Sequence, residues 1–397
     1  MINFRVLKLF LYALAALGVY HTWGRTIADG TLTHLLHAMH SKDGYVLPGT
    51  DSFLRTSITG IYWPVDYLLD ILIVFFWEAV DGSHPATSAI GIYFLSQFLS
   101  VLTGMYVDSL RQGQPRGTPF RTMLWLLSFQ MMAIATTGPY WALWYISATP
   151  LISQCRSLAD LQHASMPSSR SALLVIPSMA IGYILTAVSM CLPSPSVISH
   201  DSKQLALVAW NIFPIGVFLI HAGLEAIVPR SQSREPCEQR LVTIRIVNSV
   251  SLFFSLAVHL GLISMSLTTV LFPALWAPHA LLALHPASLA IPSVAIVRGA
   301  TVGDGIRSFF IWDQVFGYAV VILVAVLQLQ TVLTAVGRRL NQRQLLAILA
   351  GGIILGGPGS TYLGLNWMRD EVVLDSEQWS DREKVAMPGS QAAKKIT

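Results

Sequence analysis

The sequence predicts an all-α, polytopic transmembrane helical bundle with about nine or ten spans. Three observations lead there. Hydrophobic residues make up 53% of the 397-residue chain and charged residues 12%, whereas a soluble globular protein carries about 25% charged residues. Mean hydropathy is +0.58. Apolar runs close to the roughly 20 residues that cross a bilayer core recur along most of the length. Nucleic-acid binding is excluded, because the formal net charge of +4 is dispersed among loops and no Lys/Arg tract interleaves with aromatics. Residues 1–365 read as a single transmembrane domain, and 366–397 as a polar C-terminal tail with little fixed structure.

Taken in order, the first run, Phe4 to Tyr20, lacks a small-residue cleavage site, so it reads as a retained span with His21 to Arg25 as its interfacial flank. The segment to about Gly60 is polar. Its His34, His37 and His40 recur every third residue, whereas helical zinc pairs use i,i+4, so they read as the polar face of a surface helix. Residues 61–81 form the second span, turned by Asp81-Gly-Ser-His-Pro85 into a third from about Ala86 to Val107. At its end Asp108 and Arg111 stand at i,i+3. A fourth span covers 121–137, broken at Thr137-Gly138-Pro139 before a Trp- and Tyr-rich run to Ile152. Further spans fall at about 171–192, 205–228, 246–271, 308–329 and 344–362. Between Phe272 and Pro292 four prolines, 273, 278, 286 and 292, predict a broken or lid-like segment. His221 and Glu225 at i,i+4, and His259, read as structural hydrogen bonders. Cys155, Cys191 and Cys237 are isolated and read as packing residues.

Ten spans with a lumenal amino terminus put the arginines at 111, 116 and 121, 156 and 170, 230, 234, 240 and 245, and 338, 339 and 343 on the cytoplasmic side. Arg5 and Lys8 dissent. Glu78, Asp81, Asp304 and Asp313 then share the lumenal side.

The second span carries the chemistry. At 100° per residue Asp66 and Asp70 lie about 40° apart and Asp81 about 20° beyond, with Glu78 near the edge of the same face. Carboxylates at membrane depth face a protein interior or a cavity, where they either pair structurally or function. A carboxylic acid in an apolar pocket keeps its proton to higher pH and becomes a general acid for a poor base such as an epoxide oxygen or an olefin. The resulting carbocation needs electron-rich walls, for which Trp63, Trp77, Tyr93, Trp141, Trp144, Tyr145 and Trp312 are available. A second acidic centre, Asp304 with Asp313, opens a later span. Asp66-x-x-x-Asp70 resembles one of the two Asp motifs of membrane prenyltransferases, but the second is absent, so no metal and no cofactor is expected.

Pro-Val-Asp66-Tyr-Leu-Leu-Asp70, Phe-Phe-Trp77-Glu78-Ala-Val-Asp81-Gly-Ser-His-Pro, Asp108-Ser-Leu-Arg111-Gln-Gly and Phe-Ile-Trp312-Asp313 together resemble the large fungal integral-membrane terpene cyclases of meroterpenoid pathways, such as those of macrophorin and ascofuranone/ascochlorin biosynthesis. The resemblance implies metal-independent cyclisation of a farnesyl or related prenyl chain, often on an aromatic or quinone-like head, begun by protonating an epoxide or terminal olefin. The catalytic candidates are then Asp66, Asp70, Glu78, Asp81 and Asp313, with Trp63, Trp77, Tyr93, Trp312, Asp108, Arg111 and Asp304 as substrate-binding candidates. Partners are a lipophilic prenylated substrate and membrane lipid, in a multi-pass endoplasmic-reticulum setting; oligomeric state is open. A transporter or binding protein for a lipophilic metabolite, using the same acids as a proton relay, is the alternative. If both acidic centres face one cavity, Asp313 should lie within about 10 Å of Asp70, Glu78 or Asp81.

Overall fold

A computed structural model describes residues 4–40, 44–149, 164–229, 237–299 and 301–374. Among them secondary structure is helical apart from an isolated bridge, Val46 with Phe53. Cys155, Arg156, Arg230, Arg234 and the tail beyond Leu374 lie outside the described residues, and of Cys237 only the backbone is described.

In chain order the elements are α1 Phe4–Ala28, α2 Thr31–Met39, α3 Trp63–Val80, α4 Pro85–Ser109, α5 Thr118–Met132, α6 Ile134–Ala148, α7 Ser169–Cys191, α8 His200–Asn211, α9 Phe213–Ile227 and α10 Cys237–Leu271, followed by α11 Pro278–Ala283, α12 Pro286–Ala290, α13 Val302–Ala335, α14 Gln342–Gly356 and α15 Pro358–Leu374. Five helices, α1, α4, α7, α10 and α13, are long and apolar enough to cross a membrane, and the bent pair α8–α9 makes a sixth. The expected nine or ten spans therefore include helices of 15 to 18 residues. Fifteen residues span only about 22 Å, short of a roughly 30 Å hydrocarbon core.

Besides the expected 205–228 span, which is instead the pair α8–α9 bent by 69°, and α10 and α13, which extend beyond the expected 246–271 and 308–329, three boundaries differ from the sequence reading. The first helix does not end at Tyr20: a π turn over Tyr20–Gly24 carries it on to Ala28, with Arg25 buried and donating to the Val294 and Ala295 carbonyls at 2.9 and 2.8 Å. A guanidinium bound in this way sits inside the bundle rather than at a flank.

The expected 121–137 span breaks at Ala133 rather than Pro139. Phe129 meets Trp141 at 6.2 Å and Trp125 meets Trp144 at 6.0 Å, so α5 and α6 run antiparallel about a one-residue turn. Ala133 adopts φ 75° and ψ 141°, a conformation that disfavours every residue but glycine and costs on the order of 1–3 kcal/mol. Nothing in an alanine announces it.

The third difference is at the carboxyl end, where the 344–362 span is instead two helices hinged at Gly357, φ 85°, ahead of Pro358. Gln97 receives the break, its Oε1 accepting from Gly359 and Ser360 N–H at 2.9 and 3.2 Å. Residues 366–374, expected in a polar tail, belong to α15, where Asn366, Arg369 and Asp370 are buried.

The core is aromatic. Phe310 of α13 stacks on Phe94 of α4 at 5.8 Å and on Phe76 of α3 at 5.9 Å, and Phe76 meets Trp210 of α8 at 4.9 Å. This packing fixes α3 by one side, while Asp66 faces the segment before it and Glu78 the start of α13.

Candidate active site

The acidic helix α3 starts at Trp63, with Pro64 supplying a preset φ in the first turn. Asp66, Asp70 and Glu78 are buried, at 5, 6 and 4% exposure, so the inward seam forms as expected. Their bonding separates them. Asp66 spends both oxygens on the preceding loop, accepting from Thr59 N–H at 2.6 Å and Gly60 N–H at 3.1 Å. The loop reaches them through left-handed turns at Ser57, φ 58°, and Gly60, φ 63°, the latter a conformation glycine adopts without strain.

Asp70 lies one turn further on. Its Oδ1 is buried and has no hydrogen-bond partner among the described residues. It lines a cavity of about 490 Å³ together with Ser57, Gly60, Ile61, Tyr62, Trp63, Asp66 and Tyr67. Trp63 and Tyr67 meet edge to face at 6.2 Å, and the exposed Ile61, Tyr62 and Trp63 form an apolar rim. Asp70 thus joins a carboxyl oxygen without a protein partner to an open pocket that Tyr62, Trp63 and Tyr67 line.

The remaining candidates lie elsewhere. Glu78 accepts the Gly303 N–H in the first turn of α13, where a carboxylate complements the helix dipole. Asp81 ends α3, half-buried, and accepts from Ser83 N–H and Oγ at 2.8 and 2.6 Å. His84 bridges onward, its Nε2 2.9 Å from Thr301 Oγ1. Asp304 is exposed in the same first turn, its N–H 3.4 Å from Thr301 Oγ1. Trp77 donates to the Pro48 carbonyl at 3.1 Å and carries the Lys203 ammonium 5.5 Å above its ring. Tyr93 Oη is 3.0 Å from His259 Nδ1, and His259 Nε2 is 3.0 Å from the Ile354 carbonyl, so both hold α14 to the bundle.

Asp313 is not among the walls of the Asp70 cavity. It lies about two and a half turns beyond Asp304 on α13 and accepts the Ala135 N–H at 2.7 Å. The reason is the break at Ala133: α6 begins in the interior, and its first N–H groups need an acceptor that water does not supply. Asp313→Asn, which keeps an accepting oxygen, is accordingly expected to unfold within a few degrees of wild type, whereas Asp313→Ala loses about 1–2 kcal/mol; equal melting of the two variants in detergent would contradict the cap.

Asp108 and Arg111 belong to a second, closed constellation. Arg111 reaches Asp108 at 2.7 Å and Asp370 at 2.8 Å, and Arg369 reaches Asp108 at 2.8 Å and Asp370 at 3.0 Å. Tyr145 donates to Asp108 at 2.8 Å and Gln328 to Tyr145 at 2.7 Å. Two Asp and two Arg cancel, and α4, α6, α13 and α15 are tied together. Such a set is a fastener rather than a substrate contact. Arg369 and Asp370 were hidden from sequence reasoning by a composition that resembles a tail.

His221 and Glu225 bond the start of α7, through the Ser171 carbonyl at 3.0 Å and the Ser171 hydroxyl respectively. His34, His37 and His40 are exposed along α2, whose Leu35 and Ala38 are buried. Cys191 is half-buried at the end of α7.

Comparison with known proteins agrees with this architecture. The CtvD domain profile matches residues 7–374. The terpene cyclase ctvD of Aspergillus terreus is 30% identical over 259 residues, 62% of this chain and 71% of that protein. The terpene cyclase janA of Penicillium janthinellum is 22% identical over 355 residues, 89% of this chain and 91% of that protein. The FAD-dependent monooxygenase anuJ of Penicillium roqueforti is 27% identical over 289 residues, 72% of this chain but 32% of that longer protein. No solved structure matches significantly. A profile that runs from residue 7 to residue 374, on a bundle with five helices long and apolar enough to cross a membrane among the described residues, places the chain in the CtvD domain family of terpene cyclases.

Proposed function

We propose that the protein cyclises a farnesyl or related prenyl chain, in the endoplasmic-reticulum membrane, by protonating an epoxide or terminal olefin from Asp70. The observation that carries this is Asp70, which lines a pocket of about 490 Å³ and whose buried Oδ1 has no hydrogen-bond partner among the described residues; the volume falls within the roughly 300–1,000 Å³ of small-molecule sites. Tyr62, Trp63 and Tyr67 supply the π faces that a developing carbocation requires.

In the epoxide version the Asp70 proton passes to the epoxide oxygen while the carbon–oxygen bond breaks. The π electrons of an internal olefin close the ring, and the final cation loses a proton to a base. The reaction is an isomerisation, and Asp70 regains a proton for the next turnover. Similarity to part of a chain named as an FAD-dependent monooxygenase favours the epoxide, since flavin monooxygenases insert an oxygen atom into their substrates.

Asp66 supports the same reading without sharing the acid's role. Its two bonds to Thr59 and Gly60 hold the rim over Asp70, and no group of three metal-ligating side chains occurs among the described residues. Membranes containing the protein are therefore expected to cyclise a prenylated epoxide at the same rate with and without EDTA. Loss of turnover that Mg²⁺ restores would move the chemistry to a diphosphate.

A further inference from the structure

We propose that His21 and Trp312 form a hydroxyl-binding subsite, which takes the alcohol or phenol head of a prenylated substrate; the proposal rests on the cyclase reading above. The two rings lie face to face at the junction of α1, α6 and α13, with centroids 4.1 Å apart and planes 32° from parallel. Phe316 stacks on both, 5.4 Å from His21 and 5.9 Å from Trp312. His21 Nδ1 and Trp312 Nε1 are buried, and neither has a hydrogen-bond partner among the described residues. Buried polar atoms are otherwise satisfied in folded proteins, so two orphans on one stack mark a place where a ligand atom belongs.

The local backbone is built for this arrangement. His21 lies in the π turn Tyr20–Gly24, a feature that recurs at functional sites. The neighbouring residues of that turn are committed to the α5–α6 hairpin, Trp23 Nε1 donating to the Met132 carbonyl at 3.0 Å and Thr22 Oγ1 lying 3.5 Å from Thr136 Oγ1. His21 is held by ring contacts to Tyr20, Trp312 and Phe316.

The donor inventory selects the ligand. Trp312 Nε1–H only donates, and His21 Nδ1 accepts in the Nε2–H tautomer, so the pair is satisfied by a group that both accepts and donates. A hydroxyl does so, whereas an ether or carbonyl oxygen answers Trp312 alone. A cation is disfavoured by the Arg25 guanidinium, 5.7 Å over the Trp312 ring. An anion finds that guanidinium already bound to Val294, Ala295 and Ser308. Trp23, two residues on from His21, opens a separate aromatic run, to Phe309 at 5.3 Å and from Phe309 to Phe75 at 5.3 Å, which ends on α3, the helix that carries Asp70.

The test is binding, not turnover, on the full-length protein in detergent, with farnesol and farnesyl methyl ether as probes. Wild type should bind the alcohol roughly fivefold or more tightly than the ether, the worth of one net hydrogen bond. Trp312→Phe and His21→Phe, which keep the aromatic stack, should each reduce that ratio to about one, while Asp70→Asn keeps it. Thermal unfolding of each variant verifies the fold, and either variant suffices alone. No preference in wild type, or a preference that survives both substitutions, overturns the subsite and assigns the two nitrogens to an ordered water only. Failure of the Asp70 reading would appear separately, as turnover retained by Asp70→Asn.

Discussion

Cyclisation is expected to fall at least about a hundredfold in Asp70→Asn, with the protein still folded and membrane-bound, because a positioned general acid contributes roughly 10²–10⁴-fold. The substitution is nearly isosteric. Its amide still accepts or donates a hydrogen bond in the cavity but has no acidic proton to give. Product formation from a prenylated epoxide in isolated membranes measures the loss, and melting of the solubilised protein verifies the fold. Turnover within a few-fold of wild type would remove Asp70 from the mechanism.

The same substitution at Asp66 should behave differently. Asp66 Oδ1 and Oδ2 hold Thr59 and Gly60 N–H groups, and an asparagine can accept only one of them while pressing an NH₂ against the other. The rim then loosens over Asp70, so a fall in folded protein or in substrate affinity accompanies any fall in rate. Two acids one helical turn apart are thus distinguished by which observable moves.

How far the site was legible in the sequence follows from the kinds of residue involved. The inward position of Asp66 and Asp70 on α3 was readable, since helical spacing puts them about 40° apart and hydration energy forces them inward, whereas Asp81, expected on the same face, is only half-buried and Glu78, expected at its edge, is buried. Their division of labour was not. It depends on a loop folded back by Ser57 and Gly60, and on the N–H groups of Gly303 and Ala135, none of which has a side-chain signature. Asp313 illustrates the limit: beside Trp312 at the start of an apolar run it resembles a second catalytic acid. It is taken instead by a helix start that Ala133 creates and no sequence rule anticipates. The long apolar helices α4, α7, α10 and α13 were readable as such, though α10 and α13 run to 35 and 34 residues, past the expected 246–271 and 308–329, while the number of crossings was not, because 15-residue helices such as α5 and α6 are apolar without being long.

Arg369→Met should be among the most destabilising single changes in the chain, at about 3–5 kcal/mol, because removing one partner of a buried ion cluster leaves uncompensated charge. Arg369 is wholly buried and bonds Asp108, Asp370 and Gln328. Without it Asp108 and Asp370 face a single Arg111, and the cluster carries a net negative charge where water cannot reach. Adding Asp370→Asn restores neutrality, so the double variant should recover part of the loss, and the two effects should be non-additive by more than about 0.5 kcal/mol. Unfolding in detergent, followed for the two single variants and the double, gives the coupling directly. A single variant that melts with wild type would show that α15 does not depend on this cluster. Strict additivity would show that Arg369 and Asp370 act independently, and the four-helix fastening of α4, α6, α13 and α15 would have to be sought in packing alone.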